Sequence, residues 1–246
     1  NIEIKDGDHL TSSTILELAK KFNPDLLYVA GWGDARYLKV AIYYKKQNRP
    51  VITGMDNHFK GSLRQKLAVL GSKWRIRKYF THIWVPGKPQ YHYAKKLGFE
   101  EQEILNGLYC ADESIFKKIK QTKFKKQLIF IGRLVDHKGV KDFCEVLNYM
   151  IERDELGLEI KIIGNGPLAS IIPKHKNIQH ISFITPEELP EQLENAGFFI
   201  LPSTYEAWGV VVQEAALAGL PIITTYETGA ASEFVIPGFN GFLMQA

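Results

Sequence analysis

The chain has 246 residues, of which 45% are hydrophobic and 24% charged, with a formal net charge of +4. Those values exclude a disordered or collagen-like chain and fit one large or two small globular domains. No apolar run approaches the ~20 residues needed to span a bilayer, no secretory signal is visible, and Cys110 and Cys144 form neither a metal nor a redox spacing, which points to a reduced, cytoplasmic setting.

In chain order, Leu10 to Phe22 reads as a helix that Thr11, Ser12 or Ser13 can cap and that Asn23-Pro24-Asp25 breaks. Leu26 to Ala30 reads as a buried strand turned by Gly31-Trp32-Gly33, and Asp34 to Gln47 as a second helix. A strand follows at Val51 to Gly54, then the loop Met55-Asp56-Asn57-His58-Phe59. From Lys60 to Phe80 there are seven cations (Lys60, Arg64, Lys66, Lys73, Arg75, Arg77 and Lys78) and no acid, so the basicity is a local patch rather than a general attraction to nucleic acid. Within it Leu63, Leu67, Leu70 and Trp74 recur at helical spacing, although Gly71 interrupts the helix. This stripe has two readings. Either it docks on the sheet and leaves the cations solvated, or it lies on anionic lipid with Trp74, Tyr79 and Phe80 at headgroup depth. The first half then continues with a strand at His82 to Pro86, a helix at about Pro89 to Leu97, and Glu103-Ile104-Leu105.

Lys117, Lys118, Lys120, Lys123, Lys125 and Lys126 sit in a polar stretch without core periodicity, read as an interdomain linker. A second alternation then begins, with strands expected at Leu128 to Gly132, Leu158 to Ile163, Ile178 to Phe183, Phe198 to Leu201 and Ile222 to Thr225. Helices are expected at Gly139 to Arg153, Pro167 to Ile172, Pro186 to Asn195, Gly209 to Gly219 and Ala230 to Val235. Strand-helix-strand alternation predicts parallel sheets with right-handed crossovers, so the fold class is α/β with domains 1–118 and 119–246.

Four stretches in this second half carry chemistry. In Leu201-Pro202-Ser203-Thr204-Tyr205-Glu206-Ala207-Trp208-Gly209, a strand ends in a loop holding Glu206. The helix that follows places Glu214 about one and a half turns in, at ~3.6 residues per turn. Ligands of open α/β sheets bind outside the carboxyl ends of the strands, and a helix N-terminus there favours an anion. Gly132-Arg133-Leu134 ends a strand and Lys138-Gly139 opens a helix, a loop that supplies the cations and N–H groups a diphosphate needs. Gly164-Asn165-Gly166-Pro167-Leu168-Ala169 fits the dinucleotide fingerprint but follows the wrong strand, so it reads as a tight turn near a base rather than a nicotinamide site. In Thr228-Gly229-Ala230-Ala231-Ser232-Glu233, Ala230 is strained if its position needs a positive φ.

The spacing from Glu206 to Glu214, the Pro202-Ser203 before it and the run Glu214 to Pro221 after it resemble the donor site of retaining, GT-B-fold glycosyltransferases of the glycosyl transferases group 1 family. The match is strong over Leu128 to Leu243 and weak over Leu26 to Phe116. It implies two Rossmann-like domains facing a cleft, an acceptor domain followed by a nucleotide-sugar domain. By this resemblance Glu206 lies by the donor sugar, Glu214 binds the ribose hydroxyls, and Arg133 and Lys138 hold the pyrophosphate. Gly164, Gly166 and Gly209 line the nucleotide side, and His58, a few residues out of the family's alignment, faces the sugar from the first half. Glu206, Arg133, Lys138 and His58 are thus the implied catalytic set, with no metal and no cofactor beyond a nucleoside-diphosphate sugar of the UDP or GDP type. The implied acceptor is a hydroxyl of a glycan or lipid-linked molecule in polysaccharide or glycolipid synthesis, at the cytoplasmic face of a membrane. The family's catalytic unit is longer, with a first strand and glycine-rich loop expected before Asn1 and helices after Ala246. Two other classes share these features, a sugar-nucleotide epimerase and an inactive nucleotide-sugar-binding fragment.

Overall fold

The computed structural model describes residues 10–116, 119 and 124–246. The chain divides into two compact units, Asn1–Tyr109 and Cys110–Ala246. The expected boundary at 118/119 and four of the linker lysines (Lys117, Lys118, Lys120 and Lys123) fall on residues outside that description. The division lies earlier because Ala111 and Phe116 are buried in the core of the second unit and the Ala111 N–H donates to Gln213 Oε1 at 3.1 Å.

In the first unit, α1 (Ser12–Phe22), β1 (Leu27–Val29), α2 (Ala35–Lys45), β2 (Val51–Gly54), α3 (Leu63–Leu70), α4 (Ser72–Arg75), β3 (His82–Val85), α5 (Lys88–Lys96) and β4 (Ile104–Asn106) alternate. The strands form a parallel sheet in the order β1-β2-β3-β4. Side-chain oxygens of Thr11, Asp34 and Ser62 cap α1, α2 and α3, each accepting from an otherwise orphan N–H of the first turn. The core packs Val51, Ile83 and Val85 of the sheet against Val40, Ala41 and Tyr44 of α2 and Tyr93, Ala94 and Leu97 around α5.

The second unit opens on α6 (Glu113–Phe116) and continues through β5 (Gln127–Ile131), α7 (Val140–Glu152), β6 (Glu159–Ile163), a 3-10 turn at Pro167–Ile171, β7 (Ile178–Ile181), α8 (Leu189–Glu194), β8 (Phe198–Leu201), α9 (Val210–Leu217), β9 (Ile222–Thr225), α10 (Ala231–Phe234) and β10 (Gly241–Met244). All pairings are parallel, in the order β10-β9-β8-β5-β6-β7. Leu128, Ile129 and Phe130 of β5 are buried on both faces, as a central parallel strand requires. The chain runs outward from β5 through β6 to β7, then returns to the other side of β5 with β8 and runs outward again through β9 to β10. The strand order therefore reverses between β5 and β8.

Four expectations change. The strand expected to be buried at Leu26 to Ala30 is the edge strand Leu27–Val29, with Tyr28 exposed. The helix at Pro167 to Ile172 is a five-residue 3-10 turn, β10 joins the sheet edge beside β9, and Ala230 has φ −66°, an ordinary right-handed conformation without strain.

Candidate functional site

The reversal between β5 and β8 is where an open α/β sheet leaves a crevice for a ligand. The loop after β5 carries Arg133 and Lys138, and the loop after β8 carries Glu206. The Tyr205 N–H donates to the His137 carbonyl at 3.3 Å, tying the two loops together. Lys138 Nζ pairs with Glu206 Oε2, and the side chains are only 12% and 16% exposed, so water screens this ion pair less than a surface one. Arg133 is exposed at the same edge.

Glu206 is held from behind by the loop after β9. Its N–H donates to the Glu227 carbonyl at 3.1 Å, and its carbonyl accepts from Gly229 N–H at 3.0 Å. Beneath it, the buried Thr224 hydroxyl donates to the Leu201 carbonyl at 2.7 Å and the Thr225 hydroxyl to the Ser203 carbonyl at 2.5 Å, clamping the ends of β8 and β9. The chain then turns through Gly209 at φ +90°, where a Cβ would come within 2.9 Å of Glu206 Cγ. Glycine there serves the positive φ and the close approach of Glu206 together.

Glu214 lies on α9. Burial pushes its carboxyl above the ordinary glutamate range, and among the described residues no cation or N–H pairs with it. A partly buried carboxylate without a protein partner keeps acceptor capacity that water or a ligand can take up.

Gly164 and Gly166 have a packing reason of their own. Side chains there would run into the Gly132 and Leu134 carbonyls, because the loop after β6 lies directly on the loop after β5, with the Leu134 N–H donating to the Asn165 carbonyl at 2.9 Å. The second unit thus carries Arg133, Lys138, Gly164, Gly166, Glu206 and Gly209 on the loops after β5, β6 and β8, and Glu214 at the fifth position of α9; Lys138 meets Glu206, Glu206 lies against Gly209, and the Gly164–Gly166 loop lies on the loop after β5. His58 belongs to the first unit, in the loop after β2, where its carbonyl accepts from Gln65 Nε2 at 2.8 Å.

The first unit holds a cavity of about 610 Å³ at its own carboxyl edge. Tyr28, Trp32 and Tyr109 supply aromatic walls, Asp56 a carboxylate, and Lys60 and Arg64 positive charge, whereas His58 does not line it. Tyr109 Oη donates to Asp56 Oδ2 at 3.2 Å, and burial together with that carboxylate raises the Tyr109 phenol. Sequence reasoning had Lys60 and Arg64 in the basic patch, Asp56 in the loop and Trp32 in the turn, but did not see that they share a cavity, and it missed Tyr28 and Tyr109. The available signal was Gly31-Trp32-Gly33, an aromatic residue in a glycine turn at a strand's carboxyl end. Among the described residues, no group of three or more His, Cys, Asp or Glu side chains is placed to hold a metal ion, and no helix is long and apolar enough to cross a membrane.

The family model for Glycosyl transferases group 1 matches residues 111–246, more than half of the chain. The chain belongs to this family. It is 34% identical over 118 residues to the 2-deoxystreptamine N-acetyl-D-glucosaminyltransferase of Niallia circulans, covering 45% of this chain and 30% of that protein. It is also 34% identical over 122 residues to the glycogen synthase of Mycobacterium tuberculosis, covering 47% of this chain and 29% of that one. The matched region therefore spans about three tenths of each of these relatives. Among solved structures, HepE of Anabaena in complex with UDP superposes with a TM-score of 0.72 at 15% identity, over 95% of this chain and 68% of that one. The pneumococcal O-GlcNAc transferase GtfA, solved with UDP and GlcNAc, gives 0.70 at 16% identity, over 96% and 49%. These likenesses show the fold, which is GT-B with two parallel Rossmann-like sheets, and the epimerase reading is not favoured.

Proposed function

We propose that this group 1 glycosyltransferase moves a sugar from a nucleoside-diphosphate sugar to a hydroxyl of a glycan or lipid-linked acceptor, with retention at the anomeric carbon. The observation that carries the reading is the composition of the β5/β8 crevice. The loops after β5 and β8 carry a shielded Lys138–Glu206 pair and the exposed Arg133, and the helix that follows, α9, carries the partly buried Glu214. A nucleotide-sugar brings the complement of each, namely a diphosphate for the cations, ribose hydroxyls for Glu214 and a sugar for Glu206.

In the reaction the bond from the anomeric carbon to the diphosphate oxygen breaks, and a bond to the acceptor oxygen forms on the same face. A leaving-phosphate oxygen takes the acceptor proton. Arg133 and Lys138 offset the negative charge that grows on the departing diphosphate, without a metal in our proposal. Glu206 faces the positive charge that grows on the sugar. The aromatic and polar cavity of the first unit suits a sugar ring and is our proposed acceptor site.

The test is a thermal-shift and calorimetry panel of nucleoside-diphosphate sugars, UDP-linked donors first because HepE and GtfA were solved with UDP, GDP-linked donors alongside. A specific shift by one donor, followed by its turnover with a glycan or lipid acceptor, supports the proposal. Shifts with no turnover by the full-length protein would leave a binding module.

Arg133→Ala and Lys138→Met are expected to weaken nucleoside diphosphates while leaving nucleosides almost unchanged, because the lost contact is to phosphate charge. Lys138 is shielded and should cost ~10-fold or more in affinity, whereas the solvent-screened Arg133 should cost less. Calorimetry with the nucleoside and the diphosphate separates the cases. Equal weakening of both ligands would show that the loop itself had been damaged.

A further inference from the structure

The apolar stripe of the basic segment does not dock on the sheet. Leu63, Leu67 and Leu70 of α3 are 79%, 64% and 76% exposed, and Trp74 of α4 is 69% exposed. At ~100° per residue the three leucines share one narrow face of α3. Val69 turns toward the core, while Arg64, Gln65 and Ala68 line the first-unit cavity. Helix α3 is therefore a wall with the cavity on its inner side and bare leucines on its outer side.

The surrounding cations sort into two kinds. Lys66, Lys73, Arg75 and Lys78 are exposed beside the stripe. Arg77 is structural, since its guanidinium bonds Glu103 at 2.9 Å and lies over the Phe99 ring at 4.6 Å. The end of the segment is tied into the core as well. Lys45 Nζ donates to the carbonyls of Arg77 and Phe80, the Ser72 hydroxyl donates to the Leu97 carbonyl, and Phe80 is fully buried. Tyr79 also packs against the core. Neither Tyr79 nor Phe80 is thus available at headgroup depth, which leaves Trp74 as the aromatic of the patch.

We propose that α3 and α4 seat the first unit on an anionic lipid bilayer. Leu63, Leu67, Leu70 and Trp74 enter the headgroup–acyl boundary, while Lys66, Lys73, Arg75 and Lys78 pair with lipid phosphates. Charge complementarity selects this occupant, because from Lys60 to Phe80 the chain has no acid. The leucines stand exposed on a single helical ridge of α3, and such a ridge enters a fluid interface without needing a complementary groove. Docked this way, the cavity on the inner side of α3 lies beside the membrane surface, within reach of a sugar carried by a lipid.

The test is co-sedimentation of the full-length protein with vesicles of phosphatidylcholine alone and of phosphatidylcholine mixed with phosphatidylglycerol. Binding is expected to the mixed vesicles only, to fall as salt shortens the screening length, and to blue-shift the emission of Trp74, with Trp74→Phe as the control. Lys66, Lys73, Arg75 and Lys78 changed to Gln should weaken vesicle binding about fivefold per charge. Leu63, Leu67 and Leu70 changed to Ser should abolish the blue shift while leaving thermal unfolding and donor affinity as they were, since the leucines are exposed and outside the donor crevice. No binding at low salt, equal binding to both vesicle types, or full binding by the leucine variant would overturn the proposal. A soluble dimer that the leucine variant dissolves, in place of vesicle binding, would assign the face to a second copy of the chain. Each outcome stands apart from donor turnover in solution, so failure here does not count against the transferase reading.

Discussion

Glu206→Gln is expected to lower sugar transfer by ~10²–10³-fold, the size seen when one electrostatic stabiliser is removed from an active site. Glutamine keeps the volume of the side chain, and the loop that carries Glu206 is held through its backbone by Glu227 and Gly229, so the fold should survive. On the proposed reading, what is lost is negative charge beside a sugar that becomes positive only as the leaving group departs, and such a loss falls on the rate more than on ground-state binding. The ion pair sharpens the expectation. Glu206 engages Lys138, so an arriving diphosphate must compete with the carboxylate for that ammonium. Removing the carboxylate charge frees Lys138, and donor affinity should hold or rise while turnover falls. Donor affinity by calorimetry and product release by transfer assay separate the two quantities. Equal losses in both would reduce Glu206 to a binding residue, and an inactive parent protein would favour the binding module.

The second large effect is expected at Glu214. Glu214→Ala should weaken nucleoside-diphosphate binding by ~1–3 kcal/mol, because the ribose hydroxyls then enter a half-buried site with no acceptor. Burial raises the Glu214 carboxyl above its ordinary range, which fixes the sign of two pH effects. In the free protein the protonated form is favoured on folding, so the contribution of Glu214 to stability is complete below the ordinary glutamate range. It is lost as pH rises through the raised value. Ligand binding runs the other way. The ionised carboxylate is the better acceptor for two hydroxyls, so nucleotide affinity should climb with pH over the same window and binding should release a proton. Glu214→Gln should flatten that climb. Unchanged affinity of Glu214→Ala for the free nucleoside diphosphate in calorimetry would remove Glu214 from the ribose site.

Much of the fold was legible because buried parallel strands announce themselves. Leu128 to Ile131 and Phe198 to Leu201 are uninterrupted apolar runs, each ending in a turn. The strand Gly241–Met244 was not legible, since an edge strand with Phe242 exposed lacks the continuous burial that makes a run stand out. The motif residues were legible as types: two glutamates, an Arg, a Lys and three glycines at strand ends. Their purposes were less so. Gly164 and Gly166 read as a tight turn, and the structure adds that both admit the loop after β5 against the loop after β6.

By itself the sequence determined the α/β alternation, the family and the candidate residues of the proposed donor site, because strand burial, helix punctuation and the Glu206–Glu214 spacing are local properties of the chain. Only the tertiary structure decided which of those residues meet. Lys138 and Glu206 are 68 residues apart and pair because the strand order reverses between β5 and β8. It also decided the fate of the leucine stripe. Helical periodicity says that Leu63, Leu67 and Leu70 share a face, but not where that face points. The packing of Val69 and Phe80 into the first-unit core turns the stripe outward, to where a second surface can meet it.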